Sequence, residues 1–233
     1  MPKRPFAWIE FMICIPVMAR NTEEALPKIR AAGEMGDVVE LRLDGMESFR
    51  LGEMIRACPR PAMVTYRSRR EGGRGDASED ARSLLLLQAI EAGAMFVDVE
   101  RSLHPECRQR VIREKAATKV VLSAHFHEGT PNHRLLERLL REMAGEGADV
   151  VKIVTRARVP EDNLRVLSLI PTAHALGMEI IAFCMGRAGR LSRIVSPLLG
   201  GYMTFASLAE GDESAAGQIP AGRMKEILEV LRA

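Results

Sequence analysis

Ala148-Asp149-Val150-Val151-Lys152-Ile153-Val154 is a short, mostly apolar run rich in β-branched residues, with one lysine near its centre. That composition belongs to a strand buried on both faces, as in a parallel sheet covered by helices. A buried ammonium is expensive, so Lys152 is expected either to pair with a carboxylate or to have its pKa lowered. In the second case it carries a free amine at neutral pH, and a free amine can attack a carbonyl to form a Schiff base. The plainer alternative is a structural lysine that snorkels from a strand end or sits in a buried ion pair.

Working outward, similar runs return at regular intervals. Strands are expected at 11–17, 37–44, 62–67, 95–100, 119–123, 148–154, 179–184 and 201–206. Helices are expected between them, at about 23–32, 47–57, 83–92, 105–116, 132–144, 161–176, 191–195 and 221–231, with Asn21 or Thr22 capping the first. Gly33, Gly93, Gly147 and Gly177 each precede a strand, where a left-handed helix end is wanted. About eight strand-helix alternations in this length fit an α/β fold of the (β/α)8 TIM-barrel type in a single domain. An open doubly wound sheet would carry a phosphate-binding glycine loop after its first strand, and Ile15-Pro16-Val17-Met18-Ala19-Arg20 contains no glycine.

Of the 233 residues 47% are hydrophobic, enough for one large core, and the formal charge is only +2. The charges are spread along the chain and aromatics make up 4%, so no nucleic-acid footprint is expected. Cys14, Cys58, Cys107 and Cys184 lie far apart, which favours reduced thiols in a cytoplasmic protein over a disulfide framework or a zinc site. The first residues read as a lead into a strand, not as a signal peptide. No run approaches the roughly 18 apolar residues that span a bilayer, so no membrane partner is expected.

Several strands carry charges on one face. In Val39-Glu40-Leu41-Arg42-Leu43-Asp44, period two sets Glu40, Arg42 and Asp44 opposite Leu41 and Leu43. The leucines suit the helix-facing side, so the charges face the barrel interior. Asp98 and Glu100 alternate in the same way with Val97 and Val99, and Thr65 shares a face with Arg67. Inward charges near the C-terminal strand ends of a barrel are where chemistry is expected. His125 shares its face with Ser123 and His127, on the strand next to that of Lys152, and is a candidate acid-base group.

With these residues assembled, the chain resembles type I 3-dehydroquinate dehydratases. The resemblance runs from Ile13-Cys14-Ile15-Pro16 to Gly217-Gln218. Its strongest parts are Glu40-Leu41-Arg42-Leu43-Asp44, Thr65-Tyr66-Arg67 with Arg70-Glu71-Gly72-Gly73, and the Lys152 run. Met185-Gly186-Arg187-Ala188-Gly189-Arg190-Leu191-Ser192-Arg193 and Ser214-Ala215-Ala216-Gly217-Gln218 complete it. The resemblance implies that Lys152 condenses with the C3 ketone of 3-dehydroquinate, and that His125 removes the C2 proton and then protonates the leaving C1 hydroxyl. Hydrolysis of the imine then releases 3-dehydroshikimate. One residue acting as base and then acid calls for a pKa near neutrality. The resemblance further implies that Glu71 orients His125 and that Arg193 grips the substrate carboxylate. Glu40, Arg42, Arg67, Ser214 and Gln218 would hold hydroxyls or close over the substrate, and 209–218 would form a lid. It implies a homodimer, a small-molecule substrate, and neither metal nor cofactor. Arg42 and Arg67 are expected to keep Lys152 unprotonated.

Two positions depart from the family pattern. Where the family usually reads Ser-x-His-Asp-Phe or Ser-x-His-Asn-Phe before Thr-Pro, this chain reads Ser123-Ala124-His125-Phe126-His127-Glu128-Gly129-Thr130-Pro131, so His127 stands in the usual phenylalanine place. Ala216 stands where the lid usually has proline, from which a less constrained lid is expected. Alternative readings are a Schiff-base aldolase on the same barrel and a non-catalytic barrel that binds a small hydroxy acid. The aldolase would want a phosphate-gripping loop after the late strands, and Gly200-Gly201 lies at the wrong end of its strand for that.

Overall fold

A computed structural model describes residues 11–232. The expectation about a signal peptide therefore lies outside the described residues. The strands are β1 (Met12–Val17), β2 (Val38–Arg42), β3 (Ala62–Thr65), β4 (Phe96–Glu100), β5 (Lys119–His125), β6 (Val150–Arg156), β7 (Glu179–Met185) and β8 (Met203–Phe205). Between and after them lie α1 (Thr22–Met35), α2 (Leu51–Ala57), α3 (Glu79–Glu91), α4 (Pro105–Arg113), α5 (His133–Ala144), α6 (Asp162–Leu167), α7 (Leu169–Ala175), α8 (Arg190–Leu198) and α9 (Ala221–Arg232). The parallel ladder runs β7-β6-β5-β4-β3-β2-β1-β8. Across the remaining seam the Tyr202 N–H donates to the Ile180 carbonyl at 2.7 Å. The result is a nearly closed barrel in one domain, with helices outside.

Period two sorts each strand between two apolar layers. Val39, Leu41, Val97, Val99, Val151 and Ile153 pack outward among the helices, where each fully buried aliphatic side chain contributes about 1.5–3 kcal/mol. Val38, Phe96, Val121, Val150, Ile181 and Met203 fill the barrel interior. The inward positions next along several of these strands, toward their C-terminal ends, are polar: Glu40, Asp98, Ser123 and Lys152 are all buried. The barrel is thus apolar at its floor and ionic at its mouth.

Helix starts follow local chemistry. Asn21, Ser78 and Asn132 accept the backbone N–H of Glu24, Ala81 and Leu135 and so satisfy first-turn donors of α1, α3 and α5. Three local expectations are corrected. The second helix begins at Leu51 and not at 47, because the N–H groups of Glu47 and Arg50 are drawn off to the Arg20 carbonyl and the Thr22 hydroxyl. The helix expected over 161–176 breaks at Ser168 into α6 and α7, since Pro171 has no N–H for the carbonyl four residues back. Gly93, Gly147 and Gly177 do adopt positive φ, but Gly33 lies inside α1 against the Pro59 ring, and Gly36 ends that helix in extended conformation. Among the described residues no helix is long and apolar enough to cross a membrane.

Candidate active site

The strands' C-terminal ends converge on one cavity. All nine candidate residues line it: Lys152, His125, Glu71, Glu40, Arg42, Arg67, Arg193, Ser214 and Gln218. Strand register explains the central pairing. Ser123 of β5 lies beside Lys152 of β6, and His125, two residues on, lies beside Val154. Both side chains therefore point inward, one layer apart.

On the β3–β6 side, the charges compensate one another. Lys152 Nζ donates to Asp98 Oδ2 at 2.9 Å, and Arg67 Nη2 lies 2.8 Å from the same oxygen. Ser123 Oγ donates to the other Asp98 oxygen at 2.6 Å. Burial alone would raise the Asp98 carboxyl, but Arg67 and Lys152 overrule it and hold it far below the usual carboxylate range. Arg67 also reaches Glu100 at 3.1 Å, and Arg82 closes on the second Glu100 oxygen at 2.6 Å. Arg42 forms a two-bond fork with Asp44 at 2.8 and 2.9 Å, and Glu40 accepts from Thr65 at 2.7 Å.

These contacts revise the expected surroundings of Lys152. The first of the two sequence alternatives holds: it pairs with a carboxylate. Arg42 and Arg67 are engaged by Asp44, Asp98 and Glu100, so Lys152 does not face two bare guanidinium charges.

His125 Nδ1 lies 2.8 Å from Glu71 Oε2, whose other oxygen accepts from Ser102 Oγ at 2.5 Å. Nε2 is left as the ring's second nitrogen, free of that contact. Burial, with Arg67 and Lys152 nearby, holds the imidazole well below the usual histidine range, not near neutrality as expected from its double role. Burial also raises the Glu71 carboxyl. Both members of this pair are thus pushed toward their neutral forms.

Across the cavity, Arg193 is 1% exposed, and among the described residues no carboxylate pairs with it. Its guanidinium stacks over Phe183 at 4.5 Å and reaches the Phe205 and Ala216 carbonyls at 3.5 and 3.4 Å, while Nε has no partner. Burial lowers its pKa to about 10. A desolvated cation of this kind is a receptor for an anion.

The segment over 209–218 closes this side. The Gln218 side-chain oxygen accepts the N–H groups of Ser214 and Ala215 at 2.7 and 3.3 Å, and the Ala216 carbonyl accepts the Gly186 N–H at 2.8 Å. Asp98 had been visible as an inward charge without a role, and here it is the partner of Lys152. Phe183 and Phe205, which pack on Arg193 and Lys152, carried no signal, since an aromatic in a strand reads as core.

Comparison with known proteins agrees with this geometry. The profile of the type I 3-dehydroquinase family matches residues 13–233. A 3-dehydroquinate dehydratase of Thermococcus onnurineus is 38% identical over 222 residues, covering 94% of this chain and 98% of its own length. The crystal structure of 3-dehydroquinate dehydratase from Geobacillus kaustophilus superimposes with a TM-score of 0.87 at 28% identity, covering 97% of this chain and 94% of that one. A Clostridium difficile type I 3-dehydroquinate dehydratase, solved with covalent modified comenic acid, gives 0.85 at 25% identity, covering 94% and 91%. The chain belongs to the type I 3-dehydroquinase family, the hydro-lyases that dehydrate 3-dehydroquinate to 3-dehydroshikimate through a Schiff base in the shikimate pathway.

Proposed function

We propose that Lys152 is the amine that forms the imine in this chain, His125 the group that moves the proton, and Arg193 the receptor for the substrate carboxylate. The convergence of these three on one cavity carries the reading. Asp98 aims Nζ through its 2.9 Å contact. The ammonium passes a proton to water, the free amine attacks the C3 carbonyl, and that proton returns to the carbinolamine hydroxyl, which departs as water and leaves the protonated imine. The imine withdraws electrons from the C2–H bond. His125, held neutral by burial and oriented by Glu71, takes the C2 proton. The electron pair then expels the C1 hydroxyl, which leaves as water with the proton that His125 returns. Water finally hydrolyses the product imine and frees Lys152.

Arg193 on one wall and Lys152 on the other fix the ring at two points, which brings C2 to His125. Glu40, Arg42 and Arg67 offer polar contacts to hydroxyls, and Ser214 and Gln218 close over them, with 209–218 as the lid that excludes water. A homodimer and a cytoplasmic location complete the proposal; a monomer mass at micromolar concentration in sedimentation would remove the dimer.

Borohydride reduction in the presence of 3-dehydroquinate, followed by mass mapping, tests the amine. The expected result is a stable adduct on Lys152, and an active enzyme with no adduct there would sink the assignment. His125→Ala should lower turnover by about 10²–10⁴ while the adduct still forms. Activity that survives His125→Ala but not His127→Ala would transfer the role to His127.

A further inference from the structure

We propose that His127 is a positioning residue for His125: its ring braces the His125–Glu71 pair. The inference rests on His125 being the base. The two imidazoles stack with centroids 6.3 Å apart and planes inclined by 19°. Aromatic rings attract at up to about 7 Å, so this is a packing contact without a hydrogen bond. The far edge of the His127 ring lies against Gly72, the residue after Glu71. A Cβ on Gly72 would stand 2.1 Å from Cε1 and 2.4 Å from Nε2, and Gly72 has φ of +79°. Only glycine lets the loop after β3 come this close. His127 is therefore wedged between the base and the backbone that carries the base's partner, and a shift of either would loosen both.

A phenylalanine, usual in the family at this position, would fill the wedge. His127 Nε2 is buried with no hydrogen-bond partner among the described residues, so packing, and not a bond from that nitrogen, holds the ring.

The kcat and KM of wild type, His127→Phe and His127→Ala test the proposal. His127→Phe keeps the wedge, so its plateau kcat should be retained. His127→Ala removes it, and its plateau kcat should fall by about 10- to 100-fold with KM little changed, while the borohydride adduct on Lys152 still forms. An unchanged plateau in His127→Ala overturns the proposal, and so does a His127→Phe variant as slow as His127→Ala. His125→Ala separates the underlying reading: if it is inactive while both His127 variants behave as wild type, this inference alone fails. If it stays active, the base assignment fails and this inference with it.

Discussion

The two sides of the barrel mouth each bury a cation, and they treat it in opposite ways. On the β4–β6 side, Lys152 meets Asp98, which also takes Arg67 and Ser123, so every buried charge has a partner. On the β7–β8 side, Arg193 meets aromatic faces and carbonyl oxygens and, among the described residues, no carboxylate. A compensated network holds its members in fixed geometry and leaves little attraction for an incoming ion. An uncompensated guanidinium is costly until an anion arrives, and that cost becomes binding energy once it does. The first arrangement suits a nucleophile that must be aimed, and the second a receptor.

Removing the shared carboxylate should do the most damage. Asp98→Ala would strand Lys152 and Arg67 together, and breaking a buried pair costs about 3–5 kcal/mol. For a domain of this size that corresponds to a fall of roughly 10 °C in melting temperature. Thermal unfolding of the variant reads this directly, and a change below about 1 kcal/mol would mean the network is not the compensated unit described.

Arg193→Met should give the opposite stability result. The apolar chain can pack on Phe183 without the desolvation penalty, and such replacements are neutral or stabilising by about 1–4 kcal/mol. The same variant should raise KM for 3-dehydroquinate by about 30-fold or more, since a buried charge contact of about 2–5 kcal/mol is lost. Gained stability with lost affinity would mark a site kept at the expense of the fold. Lost stability in the free enzyme would show that Arg193 is structural and would erase the contrast with Lys152.

Most of the fold was legible because strand period and helix caps are local properties. Lys152, Glu40 and Asp98 face inward for the same reason that Val151 and Leu41 face outward. The misses were cases where distant groups overrule local ones. The 46–50 segment stays out of helix because Arg20 and Thr22 take its donors, and neither is near in sequence. Alternation shows that Lys152 and Asp98 both face inward but not that they meet, so the carboxylate partner the sequence allows for Lys152 goes unnamed there. His125 was expected near neutrality from its task, whereas its pKa follows from burial and two cations on other strands.

That burial makes a pH statement possible. Because the folded His125 resists protonation, the free base should persist below the ordinary histidine value of about 6.5, and the acid limb of kcat/KM should lie under it. In the unfolded chain the same imidazole protonates normally, so stability should begin to fall as pH drops below about 6.5. Glu71, raised by burial, works the other way: the native state takes up its proton earlier, which stabilises as pH falls through the window above about 4.5. Urea unfolding at intervals from pH 7 to 5 should show the first slope, and His125→Ala should flatten it. An acid limb above about 6.5 would contradict the neutral, buried base.

The smallest effect belongs to the cover over Arg193. The 209–218 segment is anchored through the Ala216 carbonyl, which takes the Gly186 N–H and lies 3.4 Å from an Arg193 nitrogen. Residues 211–213 in its middle are exposed. Ala216 contributes an acceptor to these contacts, so a ring on its own nitrogen leaves them in place. Ala216→Pro, which restores the residue usual in the family, should narrow the unfolded and open ensembles and stabilise by about 0.4–1 kcal/mol. Hydrogen exchange over 209–218 should slow in the variant, with the Lys152 network unchanged. If the ligand-free wild type already protects the whole segment, Ala216 leaves no slack to remove. The receptor side would then be as rigidly built as the nucleophile side, and the two would differ in charge compensation alone.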